Sequence, residues 1–295
     1  MFLFYVLLNL LVYSIDRINT SKRKYFIKGG RMTVIKNRLT CRYIMGIFFI
    51  VFGFNVEATT PFDNTLAENR ITRIECEHND VTYHYDVYLP NDYHTSKKPH
   101  PVIFIFSPGG YARMNNMENW IREHNWIAVM LVESRNGPWD PIIGNFLAAH
   151  DDVLERLSID SKRKILTGFS GGARAASLMA LEKIRPDLDK VFLQAAGFYA
   201  YSFEYPNKPY IYGSFGKDDP NHGEIDYIKY YYDSTGEFFK YESYIGTHQW
   251  APQAVAERAL DWLVTKVPEV PVVVPPSEND DSFNSIVPII NYLLE

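Results

Sequence analysis

Lys164-Ile165-Leu166-Thr167-Gly168-Phe169-Ser170-Gly171-Gly172-Ala173-Arg174 decides the fold. Lys164 to Phe169 is an apolar run of strand length, and Gly171 to Lys183 is a helix-like run rich in Ala, Leu and Met. Between them stands Gly-x-Ser-x-Gly, the sharp strand-to-helix turn that lifts a serine out of a sheet. Glycines two before and two after Ser170 leave room for the strand and helix to close on each other. The Gly171 N–H sits at a helix amino terminus, where it can stabilise a developing oxyanion. The competing reading is a Gly-rich turn in which Ser170 only caps the helix.

Outward from this turn, strand-like and helix-like runs alternate from about 70 to 266. Ile71 to Cys76 and Val81 to Leu89 alternate apolar with polar, with Asn79-Asp80 as a hairpin turn between them. Val102 to Phe106, Trp126 to Val132, Val191 to Ala195, Tyr210 to Phe215 and Phe238 to Tyr244 read as further strands. Met114 to His124, Asn145 to Leu157, Glu224 to Tyr232 and Ala251 to Lys266 have helical spacing. Such alternation implies an α/β fold, a mostly parallel sheet with helices on both faces and an antiparallel edge made by the first two strands.

A serine hydroxyl is a weak nucleophile and needs a base that a third group orients. An elbow serine takes its acid and then its histidine from later in the chain. Only His222 and His248 follow Ser170. His248 lies in Gly246-Thr247-His248-Gln249-Trp250, between a strand and the last helix, and is favoured. Asp218 and Asp219 both follow the strand Tyr210 to Phe215; Asp219, held extended by Pro220, is favoured. Two other readings stay open: that the pair caps the helix from Glu224, or that Asp218, Asp219, His222, Glu224 and Asp226 hold a metal. No metal or other cofactor is expected. A second oxyanion donor is expected from Ser107-Pro108-Gly109-Gly110-Tyr111, at Gly110 or Tyr111. Trp139 and Asp140 are placed on a loop that could line the site, and His150-Asp151-Asp152 on a surface helix face.

The net charge of −5 is uneven. Residues 1–58 hold nine Lys/Arg and two Asp/Glu, so the remainder carries −12, which argues against a nucleic-acid partner. With two cysteines, Cys41 and Cys76, no disulfide framework exists and the fold rests on a packed core. Residues 1–58 read as a targeting segment: Lys36, Arg38 and Arg42 are basic, Ile44 to Phe54 is apolar, and Val56-Glu57-Ala58 resembles a cleavage site. This makes the protein secreted or periplasmic, or membrane-anchored where the segment stays uncleaved. Residues 59–266 form the expected globular domain. Residues 267–295 are a Pro-rich linker and an apolar tail.

The elbow Gly168 to Arg174, the Gly216-x-x-Asp219-x-Asn221 loop and His248-Gln249-Trp250-x-Pro252 together resemble the α/β-hydrolase superfamily. They are most similar to secreted esterases of the dienelactone-hydrolase, feruloyl-esterase and polyester-depolymerase kind. The Ser107 to Tyr111 loop resembles the Pro-Gly-aromatic oxyanion loop of cutinase-like enzymes, with Pro108-Gly109 where many members carry His-Gly. The resemblance spans about 70–266 and implies an eight-stranded, mostly parallel sheet. The short connection from Ala195 to Pro209 implies little or no lid and an open cleft, suited to bulky or polymeric esters, so the expected partner is a small-molecule or polymeric ester substrate. It also implies a serine esterase working through an acyl-enzyme, with Ser170, His248 and Asp219 as the triad and Gly171 with Gly110 or Tyr111 as the oxyanion hole. A serine peptidase on the same fold and a non-catalytic exported binding module are the competing functions.

Overall fold

The computed structural model describes residues 26–28, 31–33, 65–201, 204–232 and 238–266. The expected tail at 267–295 lies outside these residues, as does most of the targeting segment. The chain divides into two units, Met1–Thr59 and Thr60–Glu295. In the first, the short strands Phe26–Lys28 and Arg31–Thr33 pair antiparallel. Among the described residues no helix is long and apolar enough to cross a membrane.

The second unit is built on an eight-stranded sheet. Its strands are β1 (Ile71–His78), β2 (Val81–Tyr88), β3 (His100–Phe106), β4 (Ile127–Leu131), β5 (Ile159–Phe169), β6 (Lys190–Gln194), β7 (Tyr210–Gly216) and β8 (Phe239–Tyr244). Their spatial order is β8-β7-β6-β5-β3-β4-β2-β1. β3 to β8 are mutually parallel, while β2 runs antiparallel to both β4 and β1. The β1–β2 hairpin turns on Asn79 and Asp80, both with positive φ (51° and 61°), as a tight turn matched to strand twist requires.

The helices are α1 (Glu118–Glu123), α2 (Trp139–Arg156), α3 (Gly171–Leu181), α4 (Glu224–Tyr231) and α5 (Gln253–Val264). Because strand side chains alternate faces, each central strand feeds two cores. Val102, Phe104 and Phe106 of β3 join the layer with α2, α3 and α4. Ile103 and Ile105 join the opposite layer with Trp120 of α1 and Leu260 and Leu263 of α5. This double burial explains why the inner strands read as unbroken apolar runs.

Three expectations are corrected. Helix α2 begins at Trp139 rather than Asn145, so Trp139 and Asp140 lie in its first turn and not on a loop. Pro141 falls in that turn, where its missing N–H costs nothing. Strand β5 begins at Ile159 rather than Lys164. His150 is buried, not on a surface face: its ring lies 5.6 Å from Phe104 and 5.5 Å from Phe146. Its neighbours Asp151 and Asp152 pair with Arg185 and Arg156.

Candidate active site

Since β3 to β8 are parallel, the loops that leave them all open at one edge of the sheet, where ligands gather in open α/β folds. Ser170 follows β5 at that edge, Asp219 follows β7 and His248 follows β8.

Ser170 has φ 52° and ψ −121°, a conformation that costs a non-glycine residue about 1–3 kcal/mol and persists only when its surroundings hold it. They do so at close quarters. A Cβ at Gly168 would lie 2.4 Å from the Gly172 carbonyl, and one at Gly172 would lie 2.6 Å from the Phe106 carbonyl. Both neighbours are backbone and cannot step aside, which is why the turn needs its flanking glycines. The Ser170 N–H donates to the Gln194 carbonyl at 2.8 Å, fixing the elbow to β6.

The imidazole of His248 bridges the other two groups. Its Nε2 is 2.8 Å from Ser170 Oγ. Its Nδ1 is 3.0 and 3.1 Å from the two oxygens of Asp219. The Asp219 side chain is fully buried, whereas that of His248 is 35% exposed. Asp219 also accepts the Asn221 N–H at 2.8 Å, and Asn221 Nδ2 donates to the Ala195 carbonyl at 2.9 Å, so the acid loop is tied to the end of β6. The acid and histidine loops join where the Asp218 N–H donates to the Gly246 carbonyl at 3.0 Å. Asp218 itself is exposed, and the hydrogen bonds of His248 Nδ1 go to Asp219 instead.

Further residues hold His248 in place. Tyr244 donates its hydroxyl to the Gln249 carbonyl at 2.7 Å. Burial, with the nearby Asp219 carboxylate, pushes that phenol up to about 12, so it remains a donor. The ring of Phe169 lies 4.9 Å from His248 and stacks on Trp250 at 5.2 Å. Asn116 donates to Gln194 Oε1 at 2.8 Å and to the Ala251 carbonyl at 2.7 Å, so Gln194 supports the serine through its backbone and the histidine loop through its side chain. Sequence reading missed Asn116 and Gln194, because neither stands in a motif and their roles arise from contacts across the sheet.

His222 is not brought to the serine; its Nε2 lies 2.9 Å from Ser243 Oγ. Glu224 turns to Arg174 and to the Gly197 N–H, both at 2.6 Å. Asp226 pairs with Lys229. Four of the five candidate metal ligands, Asp219, His222, Glu224 and Asp226, therefore turn to separate partners, and among the described residues no group of three or more His, Cys, Asp or Glu is placed to hold a metal.

The expected oxyanion donors divide. Gly171 begins α3 and its N–H has no partner among the described residues. By contrast, the Gly110 N–H donates to the Ser107 carbonyl at 3.1 Å and the Tyr111 N–H to the Val132 carbonyl at 2.9 Å. Both of these N–H groups are therefore engaged in this structure. Tyr111 is 60% exposed with the Arg73 guanidinium 5.4 Å from its ring centre.

The loop after β4 closes on this site. Asn136 donates its N–H to the Pro108 carbonyl at 2.8 Å, and Arg135 forms a bridge with Gly109. The Asn136 carboxamide lies directly against Gly171, with Oδ1 only 1.7 Å from where a Cβ would stand.

No protein-family model matches the chain, and neither does any curated protein. Solved structures do match in fold. An S-formylglutathione hydrolase from Staphylococcus aureus is 17% identical with a TM-score of 0.53, covering 66% of this chain and 98% of its own. The fluorophosphonate-binding serine hydrolase F of Staphylococcus aureus is 16% identical with a TM-score of 0.51, covering 68% and 100%. A CE1 ferulic acid esterase from the anaerobic fungus Anaeromyces mucronatus is 17% identical with a TM-score of 0.51, covering 69% and 92%. Together with the strand order and the elbow, this likeness gives the chain the α/β-hydrolase fold.

Proposed function

We propose that this α/β-hydrolase fold carries a serine esterase that cleaves carboxylic esters through a covalent acyl-enzyme. The observation that supports the reading best is the continuous line from Ser170 Oγ to His248 Nε2, at 2.8 Å, and from His248 Nδ1 to the buried Asp219 carboxylate, at 3.0 Å. The fold likeness to solved serine hydrolases and esterases agrees with it.

In this reading Ser170 Oγ attacks the ester carbonyl carbon while its proton passes to His248 Nε2. The carbonyl π pair moves to the oxygen, which receives the Gly171 N–H at the positive end of α3. Collapse of the tetrahedral species expels the alcohol, which takes the proton from His248. Water, deprotonated by His248, then releases the acid and restores the serine. Asp219 keeps Nδ1 protonated and Nε2 basic, and stabilises the imidazolium that forms. Substrates are small or polymeric esters reached through an open cleft. Export through the 1–58 segment to a secreted or periplasmic location belongs to the same proposal, with membrane attachment only where that segment is retained.

The test is steady-state hydrolysis of p-nitrophenyl esters of increasing acyl length beside matched p-nitroanilides. Turnover of the esters alone, abolished by Ser170→Ala, supports an esterase. Comparable turnover of the anilides favours a peptidase. No turnover of either by folded protein defeats the proposal.

A further inference from the structure

The carboxamide of Asn136 occupies the space that a side chain at Gly171 would fill. Its Oδ1, Cγ and Nδ2 lie 1.7, 2.7 and 3.1 Å from the position of a Cβ there. The residue is exposed at the carboxyl edge of the sheet, and its backbone is pinned to the oxyanion loop through Pro108. Its side chain makes no hydrogen bond to any described residue.

If this volume only needed filling, an apolar side chain would serve. A carboxamide held against the elbow and covered by substrate loses its water, which is costly unless it gains a partner. The neighbouring group that would need a donor is the oxyanion. Gly171 supplies one N–H, while those of Gly110 and Tyr111 are already taken by Ser107 and Val132.

We propose that Asn136 Nδ2 is a side-chain hydrogen-bond donor to the oxyanion formed at Ser170, acting beside the Gly171 N–H. The inference rests on the esterase reading above. No bond to Asn136 forms or breaks: as the Ser170 Oγ–carbon bond forms, the carbonyl π pair moves to the oxygen, and the amide N–H donates to that oxygen until the pair returns. Gly171 is then glycine for a chemical reason, since any larger residue would displace the carboxamide.

The experiment compares Asn136→Ala, Asn136→Asp, Gly171→Ala and Asn136→Ala/Gly171→Ala in ester turnover. Loss of one such donor is expected to lower kcat about 10²–10³-fold with little change in KM. Asn136→Asp keeps the shape and removes the donor, so it should fall at least as far; it also decides the question should the alanine variant fold poorly. A trifluoromethyl ketone, which forms a tetrahedral adduct with the serine, should lose affinity by the same factor as kcat/KM. Gly171→Ala should be costly alone and nearly silent in the Asn136→Ala background, because its methyl group acts by displacing the carboxamide. An Asn136→Asp enzyme with wild-type kcat, or a Gly171→Ala cost equal in both backgrounds, overturns the inference while wild-type turnover keeps the esterase reading intact. A wild-type protein that neither turns over esters nor reacts with a fluorophosphonate overturns that reading, and the role of Asn136 with it.

Discussion

Replacing Asp219 by Asn isolates the charge of the buried carboxylate while keeping its shape. Asn at this position can still accept the Asn221 N–H that Asp219 accepts at 2.8 Å, so the loop should hold and thermal stability should change little. What is lost is the negative charge 3.0 Å from His248 Nδ1. With an effective dielectric of about 20, suited to a histidine near the surface, a unit ion pair at this range is worth about 5 kcal/mol. At about 1.4 kcal/mol per factor of ten, that is about 10³–10⁴ in kcat. Loss of the acid's charge in Ser-His-Asp triads costs about 10⁴, which agrees with this figure. Asp218, one residue earlier and exposed, provides the internal control. Steady-state hydrolysis of p-nitrophenyl butyrate should show Asp219→Asn losing kcat by that amount with KM nearly unchanged, and Asp218→Asn near wild type. Asp219→Asn within about tenfold of wild type, or an equal loss at Asp218, would refute the reasoning.

Three further outcomes follow from the packing. Gly168→Ala sets a methyl group 2.4 Å from the Gly172 carbonyl, backbone against backbone, so a urea titration should show a loss of about 1–3 kcal/mol; an unchanged midpoint would contradict the tight elbow. Burial pushes the Cys76 thiol up to about 12 and its S–H donates to the Tyr83 carbonyl, so in a Cys41→Ser chain Ellman's reagent should react only after unfolding. Burial, set against the Asp151 carboxylate, holds His150 below the ordinary imidazole range. The folded state therefore binds this proton more weakly than the unfolded chain. Its contribution is intact above the unfolded value of about 6.5 and lost as pH falls through the lower folded one. Melting curves across that window should fall less steeply for His150→Gln than for wild type.

Much of the fold was legible because the sheet's inner strands are buried on both faces. Ile103 and Phe104 face opposite layers, so both must be apolar, and a continuous run results. Element ends were harder to read. Asp160, Ser161, Lys162 and Arg163 look like a loop, yet Ile159–Phe169 is one strand whose first half is largely exposed. Gly137, Pro138 and Pro141 look like punctuation, yet α2 starts at Trp139, since a first turn tolerates proline. At the site, Ser170, Asp219 and His248 each follow a strand, and their separation along the chain is erased by the parallel sheet. Asn136 was out of reach for the opposite reason. Nothing in Ser134-Arg135-Asn136-Gly137 marks it, and only the approach of its loop to Gly171 gives it a place. The oxyanion donors were also underdetermined, because which N–H is already bonded depends on where Val132 and Ser107 turn their carbonyls.

The central claim is that Ser170 is an activated nucleophile. The direct measurement is the intact mass of the full-length protein after exposure to a fluorophosphonate, beside Ser170→Ala. One covalent adduct on the wild type, mapped to Ser170 and missing from the variant, is the predicted result. Folded wild-type protein that takes no label, or a Ser170→Ala variant that labels equally well, would contradict it.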